Sequence, residues 1–418
     1  MYTLKIAGKE VLSFGRNVEN PQYPLTVKAL SDLFTGGPTA AGISVSENNA
    51  MNLSAVYSAV RVISESIAVL PLQLFAKTDR GREMLPKHPL YKLVHDEPNS
   101  YQSSFTFRET KAAQQCLWGN AYSRIHRDKL LRPAELENYQ PQDVTPHFDP
   151  KRRKIFYVIN GRDIVEQANM LHIPALSTDG IAGKSPIQTA RESIALGMAM
   201  EKFGARFFGS GANMDGVLEH PGKLSTTAFQ KLKDDWTKNR SGLSNSHTTS
   251  ILEEGMKYTR IGIPPEEAQF LTSRKFQVTE IARWFRLPPH LLADLERSNI
   301  SNIEPLDIGF VKYSLMPWLK RWEHELNRKL LNEEDKGTMY FEFNVDAFLR
   351  GDIKTRTEWY SKMIAARVFN PNEVREMENW NAYEGGDKYE NPNTSSPKEQ
   401  AHQEQPEPEH KPNHDDNE

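Results

Sequence analysis

Leu53, Val56, Val60, Ile63, Ile67 and Leu70 alternate steps of three and four, which places them on one face of a helix that Pro71 must stop. The pattern then switches to alternation in Leu72-Gln-Leu-Phe75, a strand, with Asp79-Arg-Gly81 as its turn. A second helix is predicted over Ser104–Leu117, closed by Gly119-Asn120, two residues that tolerate the left-handed conformation. Strands are expected over Ala121–Arg127, Val144–His147, Ile155–Ile159 and Asp163–Glu166, the last two joined through Asn160-Gly161. This first region reads as mixed α+β.

Ser185-Pro186 supplies an N-cap and a first-turn proline for a helix running to about Phe208. Its Ala190, Ala195, Gly197, Ala199, Gly204 and Ala205 are small, as suits a helix crowded by identical copies. Between Gly211 and Pro265 the pattern predicts a small module. It holds a strand over Asp215–Glu219, a helix over Thr226–Asn239 with Phe229, Leu232 and Trp236 on one face, and a hairpin pairing Thr249–Leu252 with Met256–Ile261. Two long helical patterns from Glu267 to Leu331 then flank a polar loop, His290–Asn302, announced by Pro288-Pro289. The second carries an apolar stripe of Leu315, Leu319, Trp322, Leu326 and Leu330, with Pro317 inside it, so a kink is expected near Ser314. Met339–Val345 alternates as a further strand, and short helices fill Asp352–Trp380. The opening Thr35–Gly42 stretch reads as flexible.

With 418 residues, 38% of them hydrophobic, the chain can bury a core. No apolar run reaches the roughly 20 residues of a membrane span, and the opening MYTLKIAGKEVLSFG has no secretory pattern. A lone Cys116 rules out an internal disulfide and a multi-cysteine zinc site. Residues 390–418 carry eight acidic against two basic side chains, or −6, so the net charge of −3 leaves the preceding body at +3. That body is unlike a tight duplex binder, which needs many phosphate contacts. The Pro-, Glu-, Gln- and His-rich tail is expected to be disordered.

Thr178-Asp-Gly-Ile-Ala-Gly-Lys-Ser185 nearly fits a phosphate-binding loop, but Thr178 stands where the first glycine belongs and Pro186 deletes an amide. A capped helix start is the simpler reading. Gly209-Ser-Gly211 follows a helix and lacks the strand-to-elbow context of a serine nucleophile, so it reads as a helix stop. His88, His95, His126, His147 and His172 fall in separate elements and read as structural; Glu253-Glu254 and Glu266-Glu267 sit at a turn and a helix start. No catalytic residue, metal site or cofactor is predicted. Candidates for contact with nucleic acid are Arg297, Lys312, Lys320 and Arg321.

Several separate motifs combine into a family resemblance. Ala55–Leu72, Pro98-Asn99, Gly119-Asn-Ala-Tyr122, Asp179-Gly-Ile-Ala-Gly-Lys-Ser-Pro186, Ile281-Ala-Arg-Trp-Phe-Arg-Leu-Pro-Pro289, Asn372-Glu-Val-Arg375 and Gly385-Gly-Asp387 resemble the portal proteins of tailed bacteriophages. The resemblance spans Asn52–Asn393. It implies an α+β protomer of a dodecameric ring at one vertex of the phage head, through which the genome is packaged and later ejected. Its parts would be a flexible segment (1–51), a wing (52–184), a stem helix (185–213), an inserted clip (214–265) and a second stem helix (266–287). A tunnel loop (288–302), a long kinked helix with a wing strand (303–349), a small helical crown (350–386) and a disordered acidic tail (387–418) complete it.

Residues implied to face DNA are Arg297, Ser298, Asn299, Ser301, Asn302 and Lys312, and those implied to meet partners on the clip are Phe229, Lys233, Trp236, Glu253 and Glu254. Implied partners are further copies of the chain, twelve to the ring, and double-stranded DNA bound without sequence specificity. The terminase large subunit, the major capsid protein with scaffold, and a head-tail adaptor complete the set; no membrane is involved. Implied location is the virion, after assembly in host cytoplasm. Two other readings are a monomeric structural adaptor and a nucleotide-dependent enzyme using Thr178–Ser185.

Overall fold

The structure, a computed structural model, describes residues 3–6, 9–13, 39–79, 81–209, 216–240, 255–260, 267–294, 303–345, 348, 353–378 and 380–391. The chain divides into two units, Met1–Ala347 and Phe348–Glu418.

The first unit opens with an antiparallel pair, β1 (Thr3–Ile6) and β2 (Lys9–Ser13). Residues 39–51, which the sequence places in a flexible segment, are anchored: Val45 and Ala50 are buried, and Ser46 and Asn49 form a capping box on α1 (Glu47–Ala50). In α2 (Ser54–Val69) the predicted stripe faces inward, with Val56, Val60, Ile63 and Ile67 in the core. β3 (Leu72–Thr78) pairs with β4 (Gly81–Met84). α3 (Pro89–His95) begins at His88, whose Nδ1 accepts from the Leu90 amide, and α4 (Ser104–Trp118) ends at Gly119, φ 73°.

Buried Arg108 of α4 donates to the carbonyls of Ala68 at 2.8 Å and Val94 at 3.1 Å. These lie in the last turns of α2 and α3, so one guanidinium serves two helix C-termini. Buried Lys111 donates to Gln114 Oε1 at 2.9 Å and to the carbonyls of Tyr122 and Tyr139. Its three protons thereby have three acceptors, and the burial drives its pKa well below the lysine range.

β5 (Asn120–Arg127) is the centre of an antiparallel sheet, flanked by β6 (Pro133–Tyr139) and β10 (Met170–Pro174). β7 (Val144–Asp149), β8 (Lys154–Ile159) and β9 (Asp163–Glu166) make a second. α3, β6 and β10 are additions to the elements read from the sequence. Pro-Ala-Glu-Leu-Glu-Asn-Tyr139 is too polar to mark β6, and Met-Leu-His-Ile-Pro174 is buried on both faces, so neither shows alternation.

The single helix expected from Pro186 to Phe208 is two, α5 (Pro186–Thr189) and α6 (Arg191–Gly209), parted at Ala190, φ −91° and ψ 8°. Two anchors account for the break. Gln188 and Ser185 bond Glu47 of α1, whereas Ser193 bonds Gln277 further on.

β11 (Gly216–Glu219), α7 (Thr226–Arg240) and β12 (Lys257–Arg260) follow. β12 pairs with β11, Gly216 opposite Arg260; the Thr249–Leu252 strand expected beside it lies outside the described residues.

α8 (Glu267–Phe285) packs antiparallel to α6, since Phe270 meets Phe203 and Gly204 while Gln277 meets Ser193 and Gly197. Two of the small residues of α6, Gly197 and Gly204, therefore serve packing within the chain, while Ala199 is half-buried and Ala205 exposed. Gly197 and Gly204 admit Gln277 and Phe270, and Ala190 and Ala195 are in the core. α9 (Ile303–Gly309) runs through a π-helical turn, Phe310–Leu315, into α10 (Met316–Leu330). There the Met316 amide donates to Val311 O, five residues back, and Pro317 has no amide to give. The interruption falls where the proline predicts it. β13 (Met339–Phe343) then returns to β3, Phe341 opposite Leu74. Trp322, Leu326 and Leu330 of α10 join α2 and α4 in one core.

The second unit holds α11 (Ile353–Ala365) and α12 (Pro371–Met377). Asn372 explains two of the motifs together. Its Nδ2 donates to Tyr383 O and Asp387 Oδ1, each at 2.9 Å, its Oδ1 accepts from the Tyr383 amide at 3.0 Å, and its own amide donates to Gly386 O. The chain remains described through Asn391, with Tyr389 bonded to Glu373.

Candidate functional site

The α8–α9 connection is secured on both sides. α8 ends at Arg286, φ 55°, and Leu287 amide closes on Ala282 O at 2.8 Å. Pro289–Leu292 makes one tight turn, and Ala293 takes φ 62°. His290 Nε2 meets Asp307 Oδ1 at 2.9 Å, joining the entry of the loop to its exit, and Thr279 Oγ1 donates to Asp294 Oδ2 at 3.3 Å. Arg297, Ser298, Asn299, Ser301 and Asn302 lie outside the described residues. Lys312 sits in the π-helical turn, exposed, with Nζ 5.2 Å from the centre of the Tyr313 ring. Lys320 is paired with Glu323 at 2.6 Å, so it is less available than the sequence implies.

The amides of residues 180–184 in the near-phosphate loop are bonded within the chain. Ser177 Oγ accepts from Gly180, Asp179 Oδ1 from Ile181 and Ala182, Asn120 Oδ1 from Gly183, and Leu176 O from Lys184. Ser185 Oγ donates to Leu117 O at 2.6 Å. No amide from 180 to 184 is left for a phosphate. Amides of Ile181 and Ala182 and the Ser177 hydroxyl together hold the Asp179 carboxyl down at about 2. The loop is instead a clasp: Gly183 lies against the Gly119 carbonyl so closely that a Cβ would overlap it and the Ala175 amide.

His172 is the buried end of that clasp. Its Nε2 donates to Asn120 Oδ1 at 2.9 Å, its Nδ1 accepts from Tyr157 OH at 3.2 Å, and its ring stacks on Tyr122. Burial, with a smaller push from Lys329, lowers its pKa to about 3. His88, His95, His126 and His147 also have structural partners, in a helix cap, Asp96, Glu137 and the Phe156 ring. Sequence reasoning took Gly119-Asn120 as a helix stop and as part of a family motif; no local signal marks Asn120 as the partner of a loop 63 residues on.

In the β11–β12 module, Trp236 of α7 lies over Tyr258 at 5.5 Å, while Phe229 is 56% exposed and Lys233 is exposed. Glu253 and Glu254 lie outside the described residues. On the α6–α8 pair, Leu196, Phe203, Leu271 and Phe276 are 47%, 48%, 57% and 55% exposed. Among the described residues no helix is long and apolar enough to cross a membrane.

The family described as "Phage portal protein" matches residues 54–379. The chain belongs to the phage portal protein family. It is 34% identical over 357 residues to the "Probable portal protein" of Streptomyces phage phiC31, covering 82% of this chain and 78% of that one. It is 31% identical over 349 residues to the "Portal protein" of Enterobacteria phage HK97, covering 82% of each. A solved chain from the neck of a native gene transfer agent particle, computed with C12 symmetry, shares the fold: the TM-score is 0.54 at 18% identity, over 85% of this chain and 99% of that one. None of these names carries an enzymatic activity.

Proposed function

We propose that the chain assembles into a ring of twelve copies at the portal vertex of a phage head, as a conduit for DNA during packaging and ejection. It would dock the terminase large subunit, the major capsid protein with scaffold, and a head-tail adaptor, after assembly in host cytoplasm. In this reading 52–184 with β13 form the wing, 185–213 and 266–287 the stem, and 214–265 the clip. Residues 288–302 form the tunnel loop, 303–349 the long interrupted helix leading into the wing strand, and 350–386 the crown. Family membership and the twelvefold symmetry of the gene transfer agent neck support it.

The observation that carries the ring is apolar exposure on the stem pair. Four large apolar side chains on α6 and α8 stand about half exposed in the single chain, surface of the kind that marks an interaction site when it is contiguous. A neighbouring copy covers it. DNA would slide past Ser298, Asn299, Ser301 and Asn302, whose contacts break easily, with Arg297 and Lys312 supplying weak attraction. Phe229, Lys233, Trp236, Glu253 and Glu254 would meet partners on the clip. The test is electron microscopy of the full chain, with its mass by light scattering. Rings with an open channel and a mass of about a dozen chains support the reading; monomers persisting with scaffold and capsid protein present favour the structural adaptor. The nucleotide-dependent enzyme loses its support because the amides of residues 180–184 in its loop are taken.

A further inference from the structure

Where α8 ends, a cleft of about 300 Å³ opens against α10 and the Lys184 end of the clasp. Lys184, Arg286 and Arg321 line it, together with Trp284 and Trp318, and no carboxylate does. Among the described residues these three cations make no ion pair, whereas most other arginines near a carboxylate do. Arg321 stands over the Trp318 ring at 5.7 Å. Burial first, and then the neighbouring Arg286 charge, lower the Arg321 pKa. Arg286 is held at φ 55°, a conformation that few side chains adopt. Like charges are thus gathered beside two indole rings, one of them 42% exposed at Trp284, with no carboxylate among the described residues that line the cleft.

We propose that this cleft binds a nucleotide unit, its phosphate held by Lys184, Arg286 and Arg321 and its base laid against Trp284 and Trp318. Two guanidinium forks and an ammonium suit a phosphate, and indole faces accept any base without regard to sequence. An acidic peptide would use the cations and leave the rings idle. The site is separate from duplex passage through a ring, because it takes a single unpaired nucleotide and does not depend on assembly.

The experiment follows a short fluorescent oligothymidylate by anisotropy with the full chain at low salt, with AMP and adenosine as competitors. Arg286→Gly paired with Arg321→Gln should weaken binding about tenfold or more, the scale of lost charge-assisted bonds. Glycine suits the left-handed backbone at 286 and keeps the carbonyl that accepts from Ser314. Lys184→Ala, at an exposed position, is the second variant and should weaken binding without touching the fold. AMP should displace the probe and adenosine should not. AMP competing as well as the oligonucleotide identifies a free nucleotide as the source; an oligonucleotide about tenfold tighter identifies an unpaired strand. Binding unchanged in these variants but lost in Lys312→Ala overturns the proposal, as does displacement by an oligoglutamate peptide but not by AMP. Light scattering of the same samples reports ring formation separately, so either claim can fail alone.

Discussion

Asn120 holds the backbone of Gly183 on both sides of its Cα, accepting from its amide at 2.7 Å and donating to its carbonyl at 2.8 Å. The same Oδ1 also takes the His172 proton, so one amide side chain joins β5, β10 and the loop that starts α5. Asn120→Ala leaves those groups without partners and should cost about 3 kcal/mol, read as a lower urea midpoint. Asn120→Asp should cost more, because a carboxylate oxygen would then face the Gly183 carbonyl. Gly183→Ala should fold poorly, since its Cβ overlaps backbone that cannot yield.

Gln115 links three elements: it accepts from Trp322 Nε1 at 2.7 Å and donates to Ile173 O at 3.1 Å. Gln115→Leu keeps the volume and strands both partners in the core, an expected loss of about 2–4 kcal/mol. Urea unfolding followed by tryptophan fluorescence measures it.

Acid should destabilise the first unit through His172. In the unfolded chain this group titrates near 6.5 and in the folded protein near 3, so between these values the unfolded state binds a proton that the folded state does not. Stability is complete above pH 6.5 and falls as pH drops toward 3. At pH 5 the loss should be about 2 kcal/mol. His172→Phe should flatten urea midpoints between pH 7 and 5, despite a lower starting stability from the lost bonds.

Leu271→Glu with Leu196→Glu should abolish rings and leave a folded monomer. Both side chains are about half exposed in the single chain, so the cost falls on assembly. Light scattering should show one chain per particle with an unchanged thermal midpoint; intact rings would remove the stem face from the interface.

Asn299→Lys with Asn302→Lys should slow or stall packaging, because ion pairs to phosphate hold DNA that neutral side chains release. Translocation velocity in a packaging-motor assay measures this, and an unchanged velocity removes the argument.

Much of the architecture was legible where the cause is local. The stripe of α2, the stop at Pro71, the left-handed Gly119 and the proline-driven interruption before α10 each follow from residues within a turn or two of one another. Motif order along the chain likewise pointed to the portal family. Tertiary structure alone decided what the motifs are for. Thr178–Ser185 resembles a phosphate loop in sequence, and only Asn120, Asp179 and Leu176, brought together in space, show its amides to be spent. Gly197 and Gly204 of α6 face the chain's own α8, and the break at Ala190 follows from anchors on two different helices. The cation cluster of Lys184, Arg286 and Arg321 draws on three separated segments. Hydrogen-bond satisfaction and charge balance are properties of neighbours in space, which spacing along a chain does not encode.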